Sequence, residues 1–419
     1  MDKFLLTGPC KVEGKIDVSG SKNAALPILA ATLLFDKPVE LKNLPNVRDV
    51  QTMLALLKSL GSKIVISRNK KSVKIYNFKK MKTFASYNLV KTMRAGILVL
   101  GPLLSKHYKS ITSLPGGCSL GTRPINYHLN GLAKLGAKHK IINGYVHATA
   151  NKGLVGGKIK FSKVSVGASE NLIIAATLAK GRSILKNCAT EPEIKDLINF
   201  LNSAGGKIKW IGKRTLQIDG VKFLNSINYS IMGDRIETGT WLIAAALTEG
   251  KLRIRKFNPK LIQTEINILK KMGTRIETKK DEIYVQGSKN IKNINLKTEV
   301  YPGFPTDLQA LMMVLLCKAR GKSEISETIF ENRYMHVAEL RRLGAKIKIK
   351  GNKSIIQGNT KFEGAELMST DLRASASLVL AAISAKGKSI INRIYHLDRG
   401  YEQIEKKLIK VGVKIKRVS

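Results

Sequence analysis

Hydrophobic and polar positions along this chain repeat one local pattern six times. An apolar stripe at helical spacing runs into a glycine, a lysine or arginine follows two positions later, and the next residues alternate. The pattern reads LKSLGSKI from Leu57, LAKLGAKH from Leu132, LNSAGGKI from Leu201, LKKMGTRI from Leu269, LRRLGAKI from Leu340 and LIKVGVKI from Leu408. Glycine is the usual residue just past a helix C-terminus because it tolerates positive φ. The alternation after it, as in Lys346-Ile347-Lys348-Ile349, has the period of a half-exposed strand. The six glycines, Gly61, Gly136, Gly205, Gly273, Gly344 and Gly412, lie 75, 69, 68, 71 and 68 residues apart. Six copies in register are the signature of a repeat architecture.

A second element recurs with the first. Ala175 to Ile184 (AATLAKGRSI) and Ala381 to Ile390 (AAISAKGKSI) place a small-residue helix before a turn and a strand, and related stretches start near Ala30, Leu98, Ala244 and Met312. Alanine-rich helices pack closely, so these are expected inside and the glycine-terminated helices further out. Each repeat of about 70 residues is therefore a mixed module, and the fold class is α/β built from α+β modules. Six modules are expected to group three and three into two halves that divide near Gly233-Asp234. One long solenoid is the alternative, for which a module of this size is large.

Composition narrows the class. The 419 residues are 43% hydrophobic and 25% charged, which excludes a disordered chain, a collagen-like fibre and a disulfide-stapled mini-protein. The longest nearly apolar run, Ala24 to Phe35, contains Pro27 and is too short to cross a membrane. The N-terminus lacks the form of a signal peptide, so a cytoplasmic location is expected. Cys10, Cys118, Cys188 and Cys317 are scattered without a CxxC pair, and the six histidines are scattered too. Neither a disulfide framework nor a metal cofactor is expected. Lys and Arg number 73 against 30 Asp and Glu, a net charge of +43. The lysines run along the whole chain, with no long block and no interleaved aromatics. They read as a solvated surface rather than a nucleic-acid footprint.

Four places carry candidate chemistry. Ser19-Gly20-Ser21-Lys22-Asn23 leaves a strand over Gly14 to Val18 and opens a helix. Free backbone N–H groups beside Lys22 suit an anion, and an ordinary serine-capped helix with an exposed lysine fits the same spacing. The stretch SLPGGCSLGTRP, Ser113 to Pro124, holds three glycines and two prolines and is a loop. Cys118 within it is expected to be accessible, with Arg123 favouring its thiolate; a free cysteine packed under the loop is the plainer reading. Arg94, Arg333, Arg373 and Arg399 stand out in a lysine-dominated chain. They suit bidentate binding of phosphate or carboxylate, or else surface ion pairs with the nearby Glu331, Asp371 and Asp398. Asp307, in FPTDLQ, sits at a helix start, either as a dipole partner or as a general base.

Taken together, SGSKNAALP, KTMRAGILVLGPL, SLPGGCSLGTRP, KVSVGAS, EPEIKDL, DRIETGT, FPTDLQA, ENRYMH, DLRASASLVLA and IYHLDRGYE, in this order, resemble the enolpyruvyl transferases over essentially the whole chain. The motifs are similar to those of the branch that opens peptidoglycan precursor synthesis. The resemblance implies an inside-out α/β barrel of two domains, each of three similar subdomains. Residues 21–232 form the first domain, with the cysteine loop, and residues 1–20 and 233–419 form the second. It further implies that phosphoenolpyruvate meets UDP-N-acetylglucosamine in the cleft between the domains. The enolpyruvyl group passes to the 3′-hydroxyl by addition and elimination through a tetrahedral ketal, releasing phosphate. No cofactor, no specific nucleic acid and no membrane partner is implied, and a monomer is compatible with the family.

The same resemblance assigns roles. Cys118 matches the loop cysteine that donates a proton, forms an adduct with phosphoenolpyruvate and is alkylated by fosfomycin. Asp307 matches the carboxylate that deprotonates the 3′-hydroxyl. Lys22, Arg123 and Arg399 match cations around phosphoenolpyruvate, with Asn23 beside Lys22. Arg94, the stretch Arg123, Pro124, Ile125, Asn126 and Tyr127, the stretch Lys163, Val164, Ser165 and Val166, and Asp307 and Ile329 match contacts to the UDP-sugar. Arg333 and Arg373 match arginines that help the domains close. Two departures stand out: Asn126 replaces an expected Asp after Arg-Pro, and Leu98 replaces an aromatic of some members. Both bear on substrate affinity rather than reaction type. One rival is the sister transferase acting on shikimate 3-phosphate, which lacks the PGGC loop. The other is a basic binding protein on a degenerate enzyme fold.

Overall fold

Each of the six repeat glycines ends a helix in the left-handed region, with φ between +91° and +112°. An added Cβ would strain that backbone, which is why glycine recurs where the chain turns from helix into strand. The strands that follow are Lys63–Ile66, Lys138–Ile142, Lys207–Gly212, Arg275–Lys279, Lys346–Lys350 and Lys414–Val418. These elements come from a computed structural model that describes residues 2–116 and 125–419.

The six modules make six four-stranded sheets of one plan. An edge strand pairs parallel with the next, and the remaining two strands pair antiparallel. In the module over residues 158–219, the chain runs from the edge strand Lys158–Lys160 through the helix Val166–Thr177 to the strand Arg182–Lys186. It continues through the helix Pro192–Ser203 into the hairpin Lys207–Gly212 and Thr215–Asp219. The first helix of each module is largely buried; in Gln309–Lys318 nine of ten residues are buried. The second is amphipathic, as in Arg48–Leu60 and Pro192–Ser203, and covers the module with one face.

The described residues form two units, 20–116 with 125–232, and 2–19 with 233–419. Each has its own hydrophobic core. The chain start belongs to the second unit for a topological reason. The last module ends at Lys414–Val418 without an inner hairpin strand, and Lys3–Gly8 fills that place between Gly387–Asn392 and Lys414–Val418. Glu13–Asp17 then gives the parallel edge to Lys251–Arg255. In the first unit the matching edge comes from Ile227–Ser230, beside Val39–Lys42.

A second glycine class appears only in three dimensions. Gly8, Gly220, Gly287 and Gly358 follow or end an inner hairpin strand, where the backbone presses on the end of a buried helix. A Cβ on Gly220 would lie 1.6 Å from the Ala179 carbonyl oxygen, and on Gly358 1.9 Å from that of Ala319.

Candidate functional site

In the first unit, the helix Lys22–Ala31 is capped by Ser21, whose Oγ accepts the Ala24 N–H at 3.3 Å. Lys22 in its first turn is not an exposed lysine. Its side chain is 13% exposed and its Nζ lies 3.3 Å from Asp49 Oδ2. Asp49 is buried in the first turn of Arg48–Leu60, so two helix starts converge on one ion pair. Asn23 follows, half-buried. Sequence reasoning missed Asp49, although it is a lone carboxylate between Glu40 and Glu170.

Three predicted segments meet around His128. Ile125, Asn126 and Tyr127 lead into the helix Asn126–Lys134, on which His128 is buried. Gly167, just after Lys163, Val164, Ser165 and Val166, faces the ring, since a Cβ there would sit 3.4 Å from His128 Cε1. Ser165 caps the helix Val166–Thr177 by accepting the Ala168 N–H. Burial, with the charge of Arg94 adding to it, pushes the imidazole down to about 4, so His128 is neutral at pH 7. Asn171 fixes its tautomer. Asn171 Oδ1 accepts the Gly101 N–H at 2.8 Å, so Nδ2 donates to His128 Nδ1 at 2.9 Å and the ring proton sits on Nε2. His128 and Asn171 were not singled out in the sequence; one histidine among six gives no spacing signal.

In the second unit, Asp307 lies on the 3-10 turn Thr306–Leu308 that starts the helix Gln309–Lys318. Its Oδ1 accepts from Arg333 at 3.1 Å and its Oδ2 from Arg373 at 2.9 Å. The arginine side chains are 3% and 6% exposed, and the carboxylate is 27% exposed. Burial disfavours the charge of Arg373, but Asp307, Tyr401 and Asp234 outweigh it and raise its pKa. The Arg373 guanidinium also lies over the Tyr401 ring, and Arg333 lies over Phe330. The surface pairings considered for these arginines are therefore corrected. Asp371 instead caps the helix Leu372–Ser384, accepting the N–H groups of Arg373 and Ala374, and Asp398 pairs with Arg417.

Glu327 organises this corner and was also missed. It is buried, its Oε1 accepts from Thr298 Oγ1 and from the N–H groups of Ile329 and Phe330, and its Oε2 accepts from Thr306 Oγ1. One carboxylate thus ties the loop with Ile329, itself 37% exposed, to the turn with Asp307. Arg399 ends the turn Ile394–Arg399, partly exposed. Cys118, Arg123 and Pro124 lie outside the described residues. Cys188 and Cys317 are buried, and burial pushes both thiols up to about 12, so neither is a nucleophile at neutral pH.

Comparison with known proteins gives a consistent set of matches. A family model described as EPSP synthase (3-phosphoshikimate 1-carboxyvinyltransferase) matches residues 6–408. The chain is 67% identical to a UDP-N-acetylglucosamine 1-carboxyvinyltransferase of Pelagibacter ubique (strain HTCC1062), covering all of both chains. It is 48% identical to the protein of that name from Coxiella burnetii, covering all of this chain and 96% of that one. Among solved structures, the enolpyruvyl transferase NikO from Streptomyces tendae matches with a TM-score of 0.87 at 21% identity, over 100% of this chain and 99% of that one. An EPSP synthase from Acinetobacter baumannii matches with 0.79 at 19% identity over all of both chains. These two likenesses establish a shared fold.

Proposed function

The chain belongs to the EPSP synthase family of enolpyruvyl transferases, and from that premise we propose that it transfers the enolpyruvyl group of phosphoenolpyruvate to the 3′-hydroxyl of UDP-N-acetylglucosamine. The acceptor follows from the full-length relatives, which carry the UDP-N-acetylglucosamine name at 67% and 48% identity. The step commits the sugar nucleotide to peptidoglycan precursor synthesis. The reaction belongs in the cytoplasm, and among the described residues no helix is long and apolar enough to cross a membrane.

The chemistry is an addition followed by an elimination. The 3′-hydroxyl loses its proton and its oxygen bonds to C2 of phosphoenolpyruvate, while C3 gains a proton and becomes a methyl group. The tetrahedral ketal then gives up a C3 proton, and the C2–O bond to phosphate breaks. Asp307 is the proposed base for the hydroxyl. The observation that carries this role is its setting: each oxygen accepts from a buried arginine, and the carboxylate reaches solvent where its arginines do not. Arg333 and Arg373 hold it in one orientation. Cys118 is the proposed acid for C3. Lys22, Arg123 and Arg399, with Asn23, are assigned to the anionic donor, because fixed cations stabilise charge that builds up on the departing phosphate. Arg94, Arg123 to Tyr127, Lys163 to Val166 and Ile329 are assigned to the sugar nucleotide.

Phosphate release from the purified chain tests this. It is expected only with both substrates together, and to fall at least a hundredfold in Cys118→Ser, a general acid contributing about 10²–10⁴-fold. Release with shikimate 3-phosphate in place of the sugar nucleotide would move the chain to the other branch. No release at any salt concentration, with salt-sensitive binding to unspecific DNA, would favour a binding protein.

A further inference from the structure

The six sheets share one plan, so their solvent faces can be compared. Five carry carboxylates among their cations. Asp17 and Glu282 meet Arg255 and Arg253 on one, Glu324 meets Lys353 on another and Asp219 meets Arg182 on a third. Glu40 and Glu366 lie on two more, beside Lys42 and Asn392. The sheet of Phe84–Ala85, Lys109–Ser113, Lys138–Ile142 and Tyr145–Thr149 has no acidic residue. Nor has any position between Asp49 and Glu170, although lysines continue throughout. The cations that look evenly spread in sequence therefore have no carboxylate among them on this one sheet.

The register of this sheet sorts its outer face into two ends. Phe84 stands opposite Ile111, and Tyr145 opposite Ile142; further along, Thr149 stands opposite both Lys109 and Lys138, and His147 opposite Lys140. The alternate positions Ser110, Thr112, Val146 and Ala148 are buried. At the apolar end the Phe84 ring stacks on Tyr145, with centroids 5.4 Å apart, and still remains 50% exposed. Ile142, opposite Tyr145 on the edge strand, is 36% exposed.

We propose that this sheet face docks on an anionic lipid surface. Its lysines would meet lipid phosphates, while Phe84 and Ile142 enter the boundary between headgroups and acyl chains. The single sign of charge calls for an anionic partner. The apolar end decides which anion. Aliphatic and aromatic side chains gain by leaving water at a lipid interface. A single-stranded nucleic acid instead needs open aromatic faces for its bases. Here Tyr145 covers one face of Phe84, and Ile142 offers no ring.

Flotation of the full chain with vesicles tests the proposal. Binding is expected to phosphatidylglycerol–phosphatidylcholine vesicles at low salt, and not to phosphatidylcholine alone. Lys138→Gln/Lys140→Gln should weaken it about 25-fold, at roughly fivefold per lysine, with Phe84→Ser weakening it severalfold and phosphate release in solution unchanged. Lys346→Gln/Lys348→Gln, on the corresponding strand of another sheet, should change it little. An equal loss in that control would mean that net charge acts without this face, and would overturn the proposal. Absence of flotation at low salt would do the same, as would preference for a single-stranded oligonucleotide over the vesicles.

Discussion

Asp307 and Glu327 divide the work of one corner at the scale of single residues. Asp307 reaches solvent while two buried arginines hold it, whereas the oxygens of Glu327 accept from four donors of Thr298, Thr306, Ile329 and Phe330. Glu327→Ala leaves those buried donors without their acceptor. It should cost about 2–4 kcal/mol in stability and lower kcat more than it raises KM, through misplacement of Thr306 and Asp307. Glu327→Gln keeps one acceptor oxygen and should recover most of both, as denaturant titration and steady-state kinetics would read. Arg373→Lys keeps the charge but loses the planar fork over Tyr401, and is expected to cut turnover tenfold or more. A lysine that restores full activity would show that Arg373 acts through charge alone.

Two buried histidines set a pH dependence at the same scale. Burial pushes His128 and His336 down to about 4; Arg94 adds to the effect at His128, and Arg333 adds at His336 while Asp371 opposes. The unfolded chain takes up these protons near pH 6.5 and the folded chain only near 4. Stability is therefore lost as pH falls from about 6.5 to 4, by on the order of 3 kcal/mol for His128. His128→Gln should flatten that slope in denaturation experiments between pH 7 and 5; an unchanged slope would mean that His128 is accessible to protons in the folded state.

Helix ends and strand ends, rather than helix interiors, separate the two glycine classes at the scale of elements. Gly136 has φ +92° with open space around its missing Cβ, so Gly136→Ala should cost only about 1–2 kcal/mol of backbone strain. Gly358 presses on the Ala319 and Gly321 carbonyls, and Gly358→Ala cannot be seated without moving a strand or a buried helix. It should cost more than twice as much, visible as a larger drop in melting temperature. The first class was legible because a helix stop has a local sequence signature. The second was not, because its cause is a backbone brought from a distant part of the fold.

The chain start and chain end share one sheet at the scale of the whole molecule, with Lys3 opposite Val418 and Thr7 opposite Lys414. Deleting residues 2–8 removes an inner strand, not a frayed edge. It should unfold the second unit while the first keeps its own core. The two tryptophans report separately: Trp210 belongs to the first unit, and Trp241 is buried in the second, donating to Glu237. In the deletion variant, near-native emission from Trp210 with exposed emission from Trp241 is expected, read one at a time after replacing the other with Phe. Simultaneous exposure of both would show that the units fold as one.

Periodicity in the sequence by itself determined the number of modules, their helix-to-strand order and the glycine at each turn, because those depend on neighbours a few residues apart. Residue types also marked Lys22, Asp307 and the sparse arginines as candidates for chemistry. Only the tertiary structure decided their partners. Asp49 reaches Lys22 from another helix, Arg333 and Arg373 close on Asp307 from two segments, and Lys3–Gly8 completes a sheet begun near residue 366. Burial and charge pairing depend on which distant segments meet, and a local pattern carries no record of that.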